Sequence, residues 1–154
     1  MANSDKRFIY TNDDGSISIV CPADNCDLTL DQIKAKDCPS GKTVYTVDKS
    51  VVPTDRSFRE AWTYTEYSMG FGIDMAKARE IHKTNIRTAR APKLAELDVE
   101  FQKALETGAS TTDIVAKKQA LRDAPADSGI ATASDADALK AQWKTDILGT
   151  SPYS

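Results

Sequence analysis

Residues 74–107 form one long helix-forming stretch, and its order of charge constrains this chain more than any other feature. The first part carries Lys77, Arg79, Lys83, Arg87, Arg90 and Lys93 against Asp74 and Glu80. After Pro92-Lys93 the balance inverts to Glu96, Asp98, Glu100 and Glu106 against Lys103. Asp74 suits the N-cap of such a helix. Met75, Ala78, His82, Ile86 and Ala89 make one stripe at helical spacing, and Leu94, Leu97, Phe101, Ala104 and Leu105 make another. The two stripes are out of register with each other. Pro92 also removes a backbone donor and disfavours helix at Ala91, so a kink or a restart is expected there. A rod with opposed charge at its two ends can meet two different surfaces, which points to a protein that works by contact.

Gly108 should end the rod, and Ser110 or Thr111 should cap a further helix over 113–122. The loop between them is short, so 94–107 and 113–122 are expected to form an antiparallel hairpin. Its acidic first arm can face Lys117, Lys118 and Arg122 on the second. Exposed ion pairs contribute little, so packing among Leu97, Phe101, Ile114 and Leu121 must hold the hairpin. Residues 124–129 read as a break. Ser134 with Asp137 then gives a cap signature before Leu139, Trp143 and Ile147, one last amphipathic helix ended by Gly149. The tail Ser151-Pro152-Tyr153-Ser154 is expected to be extended.

The first half reads differently. Phe8-Ile9-Tyr10-Thr11 and Ser16-Ile17-Ser18-Ile19-Val20 are β-rich runs around Asn12-Asp13-Asp14-Gly15, a hairpin signal. Thr29 can cap a short helix over 30–36 with Leu30 and Ile33 facing inward, and 43–47 reads as a third strand. Thr54 or Asp55 is placed to start one helical turn carrying Phe58 and Trp62 as core plugs. Strands over 62–65 and 67–73 follow, with a bend at Gly70 and Gly72. The fold class is therefore α+β: a hairpin-containing head over 1–73, then a helical arm over 74–154.

A chain of 154 residues with 40% hydrophobic and 28% charged residues can bury a core, which excludes global disorder. Its net charge of −3 gives no bulk attraction to nucleic acid. Residues 1–72 hold 8 basic and 11 acidic groups, and residues 73–154 hold 12 of each. The second half is neutral but segregated, which suits specific docking. Residues 1–7 contain no apolar run, so no secretory leader is expected, and no stretch of about 20 apolar residues marks a membrane span. Cys21, Cys26 and Cys38 contain no C-x-x-C pair, and the single histidine, His82, falls in the long helix. Reduced thiols are preferred over zinc, and no metal or cofactor is expected.

Catalytic constellations are thin. His82 lies on the inner stripe, where a packed histidine is the commoner case, and Glu96, Asp98 and Glu100 spread around a helix instead of converging. The reading is therefore non-enzymatic. Arg79, Lys83, Arg87 and Arg90 follow spacings of four, four and three and make one basic helix face, the expected protein-binding surface. That face could neutralise phosphates, but it has no aromatic stacking partners and lies beside acidic segments, so nucleic acid is disfavoured.

Residues 52–62, Val-Pro-Thr-Asp-Arg-Ser-Phe-Arg-Glu-Ala-Trp, with 74–82 and the run Lys117-Lys118-Gln119-Ala120-Leu121-Arg122-Asp123-Ala124-Pro125, resemble small proteins encoded beside bacteriophage tail genes. The run over 117–125, with 89–101 before it, is similar to the helical C-terminal region of tail assembly chaperones and tail-fibre assembly proteins. The likeness spans residues 50–127. It implies a structural or adaptor protein of the virion tail, made in the host cytoplasm, that joins tail or fibre subunits. A transient fibre-assembly chaperone, absent from finished particles, is the alternative, and an intracellular nucleic-acid-binding regulator is a third reading. Self-association as a trimer or hexamer is implied by the resemblance alone.

Overall fold

Phe8 and Ile9 are adjacent in the chain, point to opposite faces of a strand, and are both buried in the computed structural model, which describes residues 3–68 and 70–153. A strand with both faces covered belongs at the centre of a sheet. β1 (Lys6–Thr11) is that strand, flanked antiparallel by β2 (Ile17–Val20) and β3 (Tyr45–Asp48) in the order β2-β1-β3. The register pairs Phe8 with Val20 and Thr46, and Ile9 with Ile19 and Tyr45. At the hairpin tip Gly15 takes φ +80, and Asp14 accepts from the backbone N–H and the hydroxyl of Ser16 at 2.9 and 2.6 Å.

Between β2 and β3 runs α1 (Leu30–Asp37). Thr29 accepts from the Gln32 backbone while the Gln32 amide oxygen accepts from the Thr29 N–H, a reciprocal capping box. Ile33 is the residue that this helix buries; Leu30 is only half-buried. The helical turn expected over 54–62 is replaced by two tighter devices. Asp55 closes a local turn onto Ser57, and a 3-10 turn spans Arg59–Ala61. Phe58 and Trp62 still end up 2% and 3% exposed, so they are core plugs on a non-helical backbone. Burying each contributes about 2–3 kcal/mol.

Trp62 opens β4 (Trp62–Thr65), paired antiparallel with β5 (Gly70–Ile73). Tyr45, Tyr64, Phe71 and Trp62 make successive ring contacts with centroids 5.1, 5.5 and 5.2 Å apart, tying the two-stranded sheet to β3 of the larger one. Gly72 is required: a Cβ there would stand 2.8 Å from the hydroxyl of its cross-strand partner Thr63. Met69, inside the strand expected over 67–73, and Ser154, at the end of the expected tail, lie outside the described residues. These elements make up the first of two compact units, Met1–Asp74; the second is Met75–Ser154. The chain is α+β.

The second unit is organised on α2 (Met75–Thr107), 33 residues that continue without a break through Pro92. The expected restart does not occur. Ile86 and Leu97 are both buried and 11 residues apart, three near-whole turns, and Ala104 follows after another 7. One register therefore spans the proline, contrary to the two-register expectation. Pro92 and Thr88 are both exposed, so the carbonyl left without its intrahelical donor is on the side open to water. Gly108, at φ +67, ends the helix in a Schellman motif, with Ala109 N–H to Ala104 O at 2.8 Å and Gly108 N–H to Leu105 O at 3.3 Å.

α3 (Thr112–Asp123) returns against α2. Lys118 pairs with Asp98 and lies 5.2 Å from the centre of the Phe101 ring, while Leu97 and Leu121 are buried in the seam. The region expected as a break, 124–129, contains a 3-10 turn (Ala124–Ala126) and begins α4 (Ser128–Thr132). The single terminal helix is in fact two, α5 (Ala136–Lys140) and α6 (Thr145–Leu148). Asp135, not Ser134, caps α5: its extended backbone aims the carboxylate at the Ala138 N–H, 2.8 Å away, and the Ser134 hydroxyl donates to it. Trp143 interrupts the pattern because its indole N–H reaches back to the Gly149 carbonyl at 2.9 Å.

Candidate functional site on the long helix

Arg79, Lys83, Arg87 and Arg90 share one side of α2, but the fold divides them. Arg79 donates from Nε to Ile130 O at 3.2 Å and from Nη2 to Ala133 O at 3.0 Å, at the C-terminal end of α4. Arg90 donates from Nη1 to Leu121 O at 3.2 Å and to Arg122 O at 2.8 Å, in the last turn of α3. Both helix ends carry carbonyls with no intrahelical donor and a partial negative charge, and a guanidinium satisfies both needs. Arg79 and Arg90 are 11 residues apart, so the same face of α2 clamps two helices three turns apart.

Of the four residues of the expected face, Arg79 and Arg90 are thus engaged within the unit. Lys83 pairs with Glu80 at 2.8 Å, and that hydrogen bond, then the charges of Lys83 and Arg87, hold the Glu80 carboxyl below its ordinary range. Arg87 is exposed. Lys83 and Arg87 remain as outward-facing cations, with Glu80 beside them offsetting one charge. Such a patch can steer an acidic surface, but it is too small to track a nucleic-acid backbone.

Behind this face lies a cluster that sequence reading missed. His82 is fully buried, and its Nδ1 is 2.7 Å from the Tyr153 hydroxyl, which also accepts from Asn85 Nδ2 at 3.2 Å. The Tyr153 ring stacks on His82 at 13° with centroids 5.5 Å apart. Trp143 stands edge-on to both rings, at 6.1 and 5.9 Å. The tail expected to be extended is folded onto the histidine. Nothing local could have shown this, since Tyr153 lies 71 residues from its partner.

His82 Nε2 has no hydrogen-bond partner among the described residues. With its proton on Nδ1 a neutral imidazole tolerates this, because that N–H serves Tyr153 and Nε2 is a bare acceptor. An imidazolium would have to bury a second N–H donor with nothing to accept it. Burial accordingly holds the His82 pKa below its usual value and pushes the Tyr153 phenol up, against the hydrogen bond from Asn85. The cluster is a neutral aromatic lock.

Among the described residues no group of three or more His, Cys, Asp or Glu side chains is placed to hold a metal. Cys21 is exposed, Cys26 and Cys38 are half-buried, and all three are free thiols. No helix of the described residues is long and apolar enough to cross a membrane. Against family models, curated proteins and solved structures, the chain has no match in any of the three comparisons.

Proposed function

We propose that this chain is a structural or adaptor protein of a bacteriophage tail, resident in the particle, that joins tail or fibre subunits by contact and not by catalysis. The observation that carries the contact reading is the outer surface of the α2–α3 hairpin. Val99 and Leu105 on α2 and Val115 on α3 are each about half exposed, at 54%, 55% and 48%, on helices that also expose Glu96, Glu100 and Glu106. Apolar side chains set among like charges cost little in isolation and contribute favourably when a partner covers them. Lys83 and Arg87, nearer the start of the same helix, offer the opposite sign. The tail setting comes from the resemblance of 50–127.

The test is quantitative mass spectrometry of purified particles of the source phage, with this chain measured against a known tail subunit. A fixed stoichiometric ratio is expected. Absence from particles, with abundance in infected-cell lysate, would overturn residence and leave the fibre-assembly chaperone as the reading.

A further inference from the structure

On the first unit, a cleft of about 390 Å³ gathers Arg7, Lys49, Arg56 and Arg59. These are half of the eight basic residues in 1–72, and none of the eleven acidic ones lines the cleft. Four cations around one depression repel each other, and that cost falls when an anion enters. Arrangement as well as number favours an anion. Arg7 is fixed by donating to Ser4 O at 2.6 Å and Lys6 O at 2.7 Å, and Arg56 lies 5.9 Å over the Trp62 ring. Lys49 and Arg59 are exposed and make no ion pair or side-chain hydrogen bond among the described residues. Of the acidic neighbours, Asp48 pairs with Lys6 and Asp55 accepts from Ser57, while Asp5 and Asp48 line the adjoining depression beyond Lys49, so the positive field is confined to the cleft itself.

We propose that this cleft is a docking site for a short acidic segment of a partner protein. Ile19, Val52 and Pro53 supply an apolar lining that suits the aliphatic stems and neighbours of glutamate side chains. The alternative polyanion, a nucleic acid, is opposed on two counts. No aromatic side chain lines the cleft to stack a base, and the acidic excess of residues 1–72 repels an extended phosphate backbone running beyond it. A peptide carrying a few carboxylates needs only the cleft. This inference goes beyond the adaptor reading and does not depend on it, since the cleft experiment is indifferent to whether the chain is found in particles.

The probe is a fluorescein-labelled hexaglutamate peptide titrated with the full chain and read by anisotropy. Saturable binding that weakens with added salt is expected, reduced about tenfold or more by Lys49→Glu and by Arg59→Glu, each with an unchanged thermal melt. Arg87→Glu, outside the cleft, should bind as the parent does. Cys21, an exposed residue of the cleft lining, gives an independent readout: bound peptide should slow its alkylation and leave Cys38 unaffected. Unchanged affinity in both cleft variants, or no protection of Cys21, would overturn the site. Tighter binding of a single-stranded oligonucleotide, lost in the same two variants, would overturn the choice of a protein segment.

Discussion

Acidification should destabilise the second unit chiefly through His82. The chain has one histidine, so no other imidazole titrates in the window concerned. Its ordinary pKa of 6.5 applies to the unfolded chain, and burial lowers it in the folded one. The sign follows: the unfolded state binds the proton first, so the stabilisation is complete above the unfolded pKa. It is lost as pH falls from there through the folded pKa. Linkage caps the loss between about pH 6.5 and about pH 5 at about 1.6 kcal/mol, the limit in which the folded site never takes the proton. Glu80, also held low from an ordinary 4.5, contributes only at the acid end of this range, and comparison with His82→Phe separates its share; Asp127 and Asp135 do not reach the range. Lys144 and then the Gly129 N–H hold the first carboxyl below 3.8, and the Ala138 N–H chiefly holds the second there, so both titrate at lower pH. The assay is urea unfolding followed by Trp143 fluorescence in a Trp62→Phe background, since the chain has two tryptophans, one in each unit. With an m-value of about 1–1.5 kcal/mol/M, the midpoint should fall measurably over that pH range, by up to about 1 M. His82→Phe keeps an aromatic ring but cannot titrate, and it should abolish the His82 part of the pH dependence whatever its constant cost. If parent and variant midpoints fell in parallel on acidification, His82 would not be buried as a neutral group and the lock would be refuted.

Further outcomes follow from the same geometry. Tyr153→Phe removes the hydroxyl that serves His82 and Asn85 and should cost about 1–2 kcal/mol, a drop of about 5–15 °C in the thermal midpoint of the second unit. Arg90→Met leaves the Leu121 and Arg122 carbonyls without their side-chain donor and should cost about 1–2 kcal/mol, whereas Arg87→Met should stay within about 0.5 kcal/mol, both read by urea denaturation. Gly72→Ala should destabilise the first unit by about 1–3 kcal/mol, and adding Thr63→Ala should restore part of that, because the clash is with the Thr63 hydroxyl. Asp135→Ala should cost about 1 kcal/mol at neutral pH in chemical denaturation, the ordinary worth of an N-cap.

Several local signals are legible where the deciding atoms lie within a turn of each other, although the cap of α5 falls one residue later than Ser134 and Asp55 closes a local turn in place of a helical one. The β1–β2 hairpin follows from Asn12 to Gly15, the α1 start from Thr29 and Gln32, and the end of α2 from Gly108. The differences share a cause. Local chemistry at Pro92 allows a restart, but the packing of Ile86 and Leu97 on either side keeps the helix continuous. The last helix was read from spacing, whereas Trp143 is held by a bond to Gly149 that splits it in two.

The candidate face divides along the same line. From sequence, Arg79, Lys83, Arg87 and Arg90 are equivalent, because helical spacing says which residues share a side and not what lies across from it. The sequence by itself determined the α+β class, the inversion of charge along α2, the Thr29 cap and the glycine stops at Gly108 and Gly149, all properties of short-range geometry. Only the tertiary structure decided that Arg79 and Arg90 clamp carbonyls 51, 54, 31 and 32 residues away, and that Tyr153 returns 71 residues to cover His82. Partners that far apart meet only when the whole unit closes around its core, and no periodicity in the chain encodes them.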